Sequence, residues 1–195
     1  MFFHSFIHSF FHSFFHYFTR VIIIYNYYIY IIMQTSLLIC MLISYFIPII
    51  TVYLKYDNNQ SVSNIICDQK NKHIILLFMF IMGGFSLLYE WNRQNIPSFI
   101  FISLILIGIY GVICINETNL LHYGFAVLIF ASIFGFMIHH YFLSTNKILL
   151  GFLVTQFFLS LFMIIFKTHF FLLEVMMIVN FALFFLYLHF ITNMI

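Results

Sequence analysis

Six apolar runs organise this sequence from residue 35 to residue 191. They are Thr35–Leu54, Ile74–Tyr89, Ser98–Ile115, Leu120–Phe142, Ile148–Phe166 and His169–Ile191. Each is close to the ~20 residues that carry a helix across ~30 Å of hydrocarbon. Short polar connections separate them: "KYDNNQSVSNIICDQKNK", "EWNRQNIP", "NETN", "STNK" and "KT". Lipid offers no partner to backbone N–H and C=O groups, so only helices and closed barrels span it. The period-two alternation of a barrel strand is missing here. The pattern therefore predicts an all-α fold, a polytopic integral membrane bundle of six transmembrane helices.

Charge content points the same way. Only 6% of the 195 residues are charged, against 65% hydrophobic and 23% aromatic. A soluble domain carries roughly 25% charged residues, so this chain cannot cover itself with an ionic surface. The lipid bilayer is the expected partner, and the mean hydropathy of +1.11 agrees. A net charge of +2 is too small for nucleic acid or a polybasic lipid-binding face.

Residues 1–32 stand apart from residues 33–195. The opening "MFFHSFIHSFFHSFFHYFT" repeats every fourth residue, with His4, His8, His12 and His16 in phase. On a helix these would form a drifting stripe. No carboxylate or cysteine joins them, so a metal site is not expected, and the stretch reads as low-complexity sequence. It has no cationic segment ahead of its apolar part, unlike a secretory signal peptide. It is read as an upstream extension or an interfacial helix, while residues 21–32 either merge with the first span or add a seventh. Pro48 is expected to kink the first span, and Pro97 to sit at a helix start, where its missing N–H costs little.

Lysine and arginine counts barely separate the two faces. Lys55, Lys70, Lys72 and Lys167 lie on one side, Arg93 and Lys147 on the other, joined by Arg20 if the extension is counted; taken literally, the positive-inside rule puts the first loop in the cytoplasm. Two Asn-x-Ser/Thr sequons, at Asn59 and Asn116, share the first side with Cys67 and Cys114. Asn116 is too close to the membrane for glycosylation, which leaves Asn59 as the acceptor. A disulfide between Cys67 and Cys114 would need an oxidising lumen. These features favour a lumenal first loop and cytoplasmic chain ends.

Polar side chains inside apolar runs are the functional candidates. In "NETNLLHYGFAVLIF", Asn119, His122 and Ala126 share a helix face. The favoured role for His122 is a polar clasp between helices, ahead of a headgroup-linked or proton-linked role, with catalysis last. Glu174 is a carboxyl deep in "HFFLLEVMMIVNF", at a depth where it could meet His122. Asn180 and His189 are expected to bond only neighbouring backbone, and His139 and His140 to lie at the headgroups. Glu90 and Arg93 in "YEWNRQN", with Tyr89 and Trp91, read as an interfacial helix end and aromatic anchor. Gly83-Gly84 and Gly108-x-x-Gly111 read as packing sites, as does Ala131-x-x-x-Gly135. No catalytic residue, metal ligand or cofactor is expected, haem included.

The stretch "LILIGIYGVICINETNLLHYGFAVLIFASIFGFMIHHYF" resembles the DRAM/Frag/Sfk family of six-helix membrane proteins. In that family a glycine-bearing third helix passes through a short polar lumenal turn into a fourth helix that starts His-x-x-x-Ala, here His122 and Ala126. The first loop departs from the family pattern, lacking its Ser-Asp-x-Gly and proline-rich segment. The resemblance implies a lysosomal, Golgi or plasma membrane protein, and a non-enzymatic role in autophagy or in handling lipids and GPI anchors. Competing readings are a small transporter or proton-coupled carrier using Glu174 and His122, an intramembrane lipid enzyme, and a subunit of a larger membrane complex. Helix-mediated homo- or hetero-oligomers fit any of them.

Overall fold

A computed structural model describes residues 28–48, 69–116, 118–165 and 170–194, together with Thr19, Arg20, Tyr25, Ile50 and Leu54. The described chain is all-helical, and six of its helices are long and apolar enough to cross a membrane. They are α1 (Tyr28–Pro48), α2 (Gln69–Asn92), α3 (Ile96–Cys114), α4 (Leu120–Ser144), α5 (Lys147–Ile165) and α6 (Phe170–Met194). Pro48, expected to kink the first span, is the last residue of α1, and the repeated histidines His4, His8, His12 and His16 lie outside the described residues. Residues 28–32 run without a break into the first span, so α1 starts ahead of Met33.

Local chemistry explains where the helices start and stop. The α2–α3 turn tightens through Arg93 N–H to Tyr89 O (3.3 Å) and Gln94 N–H to Trp91 O (3.1 Å). Asn95 then caps α3: its Oδ1 accepts from Ser98 N–H at 3.2 Å, the contact that makes Asn a favoured N-cap. Pro97 follows in the first helical turn, where it displaces no intrahelical bond. Asn119 caps α4 by accepting from Leu121 N–H at 3.0 Å. At the other end of α4, Thr145 takes a left-handed conformation, φ 50°, and its N–H bonds Tyr141 O at 2.7 Å.

Neighbours in sequence pack as neighbours in space, and α3 with α4 makes the most extensive contact among α2–α6. Small residues allow it. A Cβ placed on Gly108 would lie 2.5 Å from Ile129 Cγ1 and 3.1 Å from the Phe125 carbonyl oxygen. One on Gly111 would collide with the Phe125 ring. The two backbones thus approach as small residues permit in membrane helices. From the other side, Phe101 of α3 fills the notch at Gly135 of α4. Ala131, four residues before Gly135, is exposed instead.

The main core joins Leu38, Ile75, Tyr89, Phe136, Met137, Phe184, Phe185 and Leu188. Phe136 is its hub: its ring stacks on Phe185 at 5.7 Å and meets Phe181 and Phe184 edge-on. Dispersion is what such contacts add, since lipid is already apolar. The outer faces are just as oily, with Phe80, Val127, Phe142 and Ile164 all well exposed.

Candidate functional site

Buried polar side chains gather at the end of the bundle that carries Arg93. Six stretches supply them: the start of α1, the end of α2, the α2–α3 turn, the start of α3, and the last turns of α4 and α6.

Tyr89 and Glu90 close α2. The Tyr89 hydroxyl lies 2.7 Å from His189 Nδ1, tying α2 to α6, and its ring also packs tilted on Phe185 at 5.2 Å. Glu90 is 0% exposed. Its Oε1 accepts from Arg93 Nη1 at 3.4 Å, a contact between side chains 0% and 11% exposed. The Arg93 guanidinium also rests 5.6 Å from the centre of the Tyr89 ring, within reach of a cation–π attraction. From α1, Gln34 Nε2 donates to the Tyr89 carbonyl oxygen at 3.4 Å, and the Tyr30 hydroxyl donates to Asn92 O at 3.4 Å.

The second half of the cluster joins α3 to α4. Ser98 Oγ lies 2.6 Å from His140 Nε2, with both residues buried. His139 Nε2 lies 3.2 Å from Asn95 Oδ1. That oxygen can only accept, so the ring donates. One asparagine therefore caps α3 and holds α4. The consecutive rings sit 5.2 Å apart, edge to face, and His140 packs 4.5 Å from Phe136.

Two buried oxygens here have no hydrogen-bond partner, Glu90 Oε2 and Gln34 Oε1. Most buried polar atoms in proteins are paired, so each exception calls for a cause.

This arrangement corrects several expectations. His140 turns into the protein instead of facing outward: it is 2% exposed and bonded across helices. His189 does not bond neighbouring backbone alone: its Nδ1 meets a side chain one hundred positions away. Glu90 is enclosed by protein, whereas Trp91 beside it is exposed. A single helical step turns residue 90 inward and residue 91 outward, and no composition rule distinguishes the two. Asn180 reaches α5, donating to Phe152 O at 3.0 Å and Gln156 Oε1 at 2.8 Å.

The residues singled out from sequence are placed elsewhere. His122 is 3% exposed at the opposite end of the bundle. Its Nδ1 lies 2.9 Å from Ile115 O; the carbonyl can only accept, so the ring donates. The imidazole thus clasps the end of α3 to the start of α4. Glu174 is half-buried on α6, and this hydrogen bond of His122 goes to Ile115 rather than to that carboxyl. Asn119 is exposed and serves as the cap. Cys114 is an exposed free thiol, whereas Cys67 and Asn59 lie outside the described residues. Among the described residues no three His, Cys, Asp or Glu side chains cluster as metal ligands.

Sequence reasoning overlooked Gln34, Ser98 and Gln156 and misplaced Glu90, His140 and His189. A usable signal was present: apart from Gln156, which lies midway along α5, these are polar residues in or beside apolar runs at the Arg93 end, where the odd–even count of spans brings them together.

Fold and site together define an all-α bundle of six membrane-length helices with a buried, histidine-rich polar cluster at one end. Comparison with protein families, with curated proteins and with solved structures finds no match to this chain.

Proposed function

We propose that this chain is a multi-pass endomembrane protein that performs no covalent chemistry and works through a proton-linked rearrangement of its helices at the Arg93 end. The observation that carries this reading is Glu90: a wholly buried carboxyl, paired with Arg93, inside a cluster that joins α2 to α6 and α3 to α4 through histidines. An ionisable group at membrane depth is costly and is found where it serves a purpose. Histidine is the side chain whose ordinary range brackets physiological pH. Pairs that change charge between helices are the usual means of biasing one packing against another.

Ser98 and His140 have the spacing of a nucleophile and its base. Ser98 is 0% exposed, however, closed to any lipid chain or ester, and that favours a clasp over an enzyme. The endomembrane setting and the link to lipid handling rest on the DRAM/Frag/Sfk resemblance of the α3–α4 segment.

Spin labels at exposed Phe142 of α4 and Phe190 of α6, with the native cysteines replaced, test the reading in reconstituted vesicles. The distance between labels should change between acid and alkaline buffer and lose that change in Glu90→Gln. Identical distances at both pH values would refute it.

A further inference from the structure

We propose that Glu90 and Gln34 form a binding site for one proton, carried on Glu90 Oε2 and shared with Gln34 Oε1 across the α1–α2 contact. This rests on the proton-linked reading above and names the site that takes the proton.

The argument starts from the two unmatched atoms. Gln34 Oε1 and Glu90 Oε2 are both buried acceptors, and both lack a partner. Gln34 of α1 reaches the turn of α2 that carries Glu90, because its Nε2 donates to the carbonyl oxygen of Tyr89, the residue before Glu90. The other carboxyl oxygen of Glu90 is already engaged by Arg93. An ionised carboxylate only accepts, so it can do nothing for Gln34 Oε1. One proton changes the inventory: Oε2 becomes a donor, and the carbonyl oxygen of Gln34 is the acceptor without a bond. A proton from the aqueous phase forms the O–H bond, and no other covalent bond is made or broken.

Charge and size select a proton over other occupants. Two oxygen acceptors repel an anion. A metal ion would add a full charge beside the Arg93 guanidinium, 3.4 Å from the same carboxyl, with no third ligand among the clustered groups described. A proton needs no cavity, which suits atoms sealed from solvent.

The titratable and charged groups around this site come from each packed element. Arg93 and Tyr89 lie on its own turn, and Tyr30 approaches from α1 through its bond to Asn92 O. From α6, His189 holds the Tyr89 hydroxyl. His139 and His140 of α4 flank the far side of the turn at Asn95 and Ser98. Loss of the proton leaves Gln34 Oε1 unmatched and loosens α1 from α2; its return draws them together.

Infrared difference spectra of the purified full chain in detergent, titrated from acid to alkaline pH, read the site directly. A carboxylic-acid carbonyl band should be present that Glu90→Gln removes and Gln34→Leu shifts to higher frequency, since the hydroxyl loses its acceptor. Size-exclusion and circular dichroism profiles establish that each variant is folded, and the Gln34→Leu arm stands even if Glu90→Gln fails to fold. A band indifferent to both substitutions would overturn the proposal, as would one that sodium chloride abolishes at constant pH, which would mark a cation site. If the band behaves as expected but the spin-label distances stay fixed, the proton site stands and the rearrangement falls.

Discussion

The Tyr89 hydroxyl and His189 Nδ1 meet at 2.7 Å although one hundred positions separate them in the chain. Their bond closes the bundle, joining the end of α2 to the end of α6. Removing the hydroxyl takes this bond from a buried ring nitrogen, and losing one partner of a buried hydrogen bond ordinarily costs about 1–3 kcal/mol. In membrane bundles measured couplings are smaller, averaging ~0.6 and reaching ~1.7 kcal/mol. Tyr89→Phe should therefore destabilise the protein by on the order of 1 kcal/mol in detergent unfolding. A double-mutant cycle with His189→Leu should give a coupling of similar size; additive effects would mean that the bond contributes nothing.

Glycines that look alike in sequence should respond oppositely. Gly108→Ala forces a Cβ against the Ile129 side chain and the Phe125 carbonyl. It should cost about 1–3 kcal/mol, the usual range for overpacking. Gly124 and Gly151 have nothing within 4 Å of an added Cβ. Alanine there should be neutral or stabilising by up to ~1 kcal/mol, because it favours the helix. Unfolding midpoints of the three variants side by side check the contrast.

Gln156 and Asn180 test whether polar contacts in the bundle stabilise or merely match. Asn180→Leu leaves Gln156 Oε1 without its donor, beside a Gln156 Nε2 that already has no partner. The single variant should lose about 1–2 kcal/mol. Adding Gln156→Leu should restore most of that loss, since removing both partners is far less costly than removing one. A double variant less stable than Asn180→Leu alone would contradict this.

The His122 clasp should depend on one ring nitrogen. Asparagine can place its amide nitrogen near the Nδ1 position and keep the bond to Ile115 O, whereas leucine cannot. His122→Leu should cost about 1 kcal/mol and speed hydrogen exchange in the α3–α4 turn, with His122→Asn close to the parent. Equal exchange in both variants would show that packing alone holds the turn.

Thr145 sits at φ 50°, a region that costs a side-chain-bearing residue roughly 1–2 kcal/mol. Thr145→Gly should relieve part of that cost and raise the unfolding midpoint, although glycine's freer unfolded chain gives some back.

How the candidate site was legible is seen by comparing His122 with Glu90. His122 stood out as an ionisable ring just inside an apolar run, and the structure buries it at a helix clasp. Glu90 sat beside Trp91 and Arg93 in a polar connection and so looked solvated, yet it is the more deeply enclosed. Depth along the membrane normal could be read from the polar punctuation, but the direction a side chain points could not.

Sequence alone determined the number of membrane-length helices and roughly where each lies. Apolar runs of membrane length have no other way to pair their backbone in lipid, and Pro97 marked the start of α3. Only the tertiary structure decided which face of each helix turns inward. In a soluble helix water imprints a polar stripe that reveals the buried side; here lipid and core are equally apolar, and Phe80 outside reads the same as Phe136 inside. With no contrast between the two solvents, the meeting of Tyr89 with His189 and of Ser98 with His140 was fixed by shape and hydrogen bonding between helices, which a linear chain does not display.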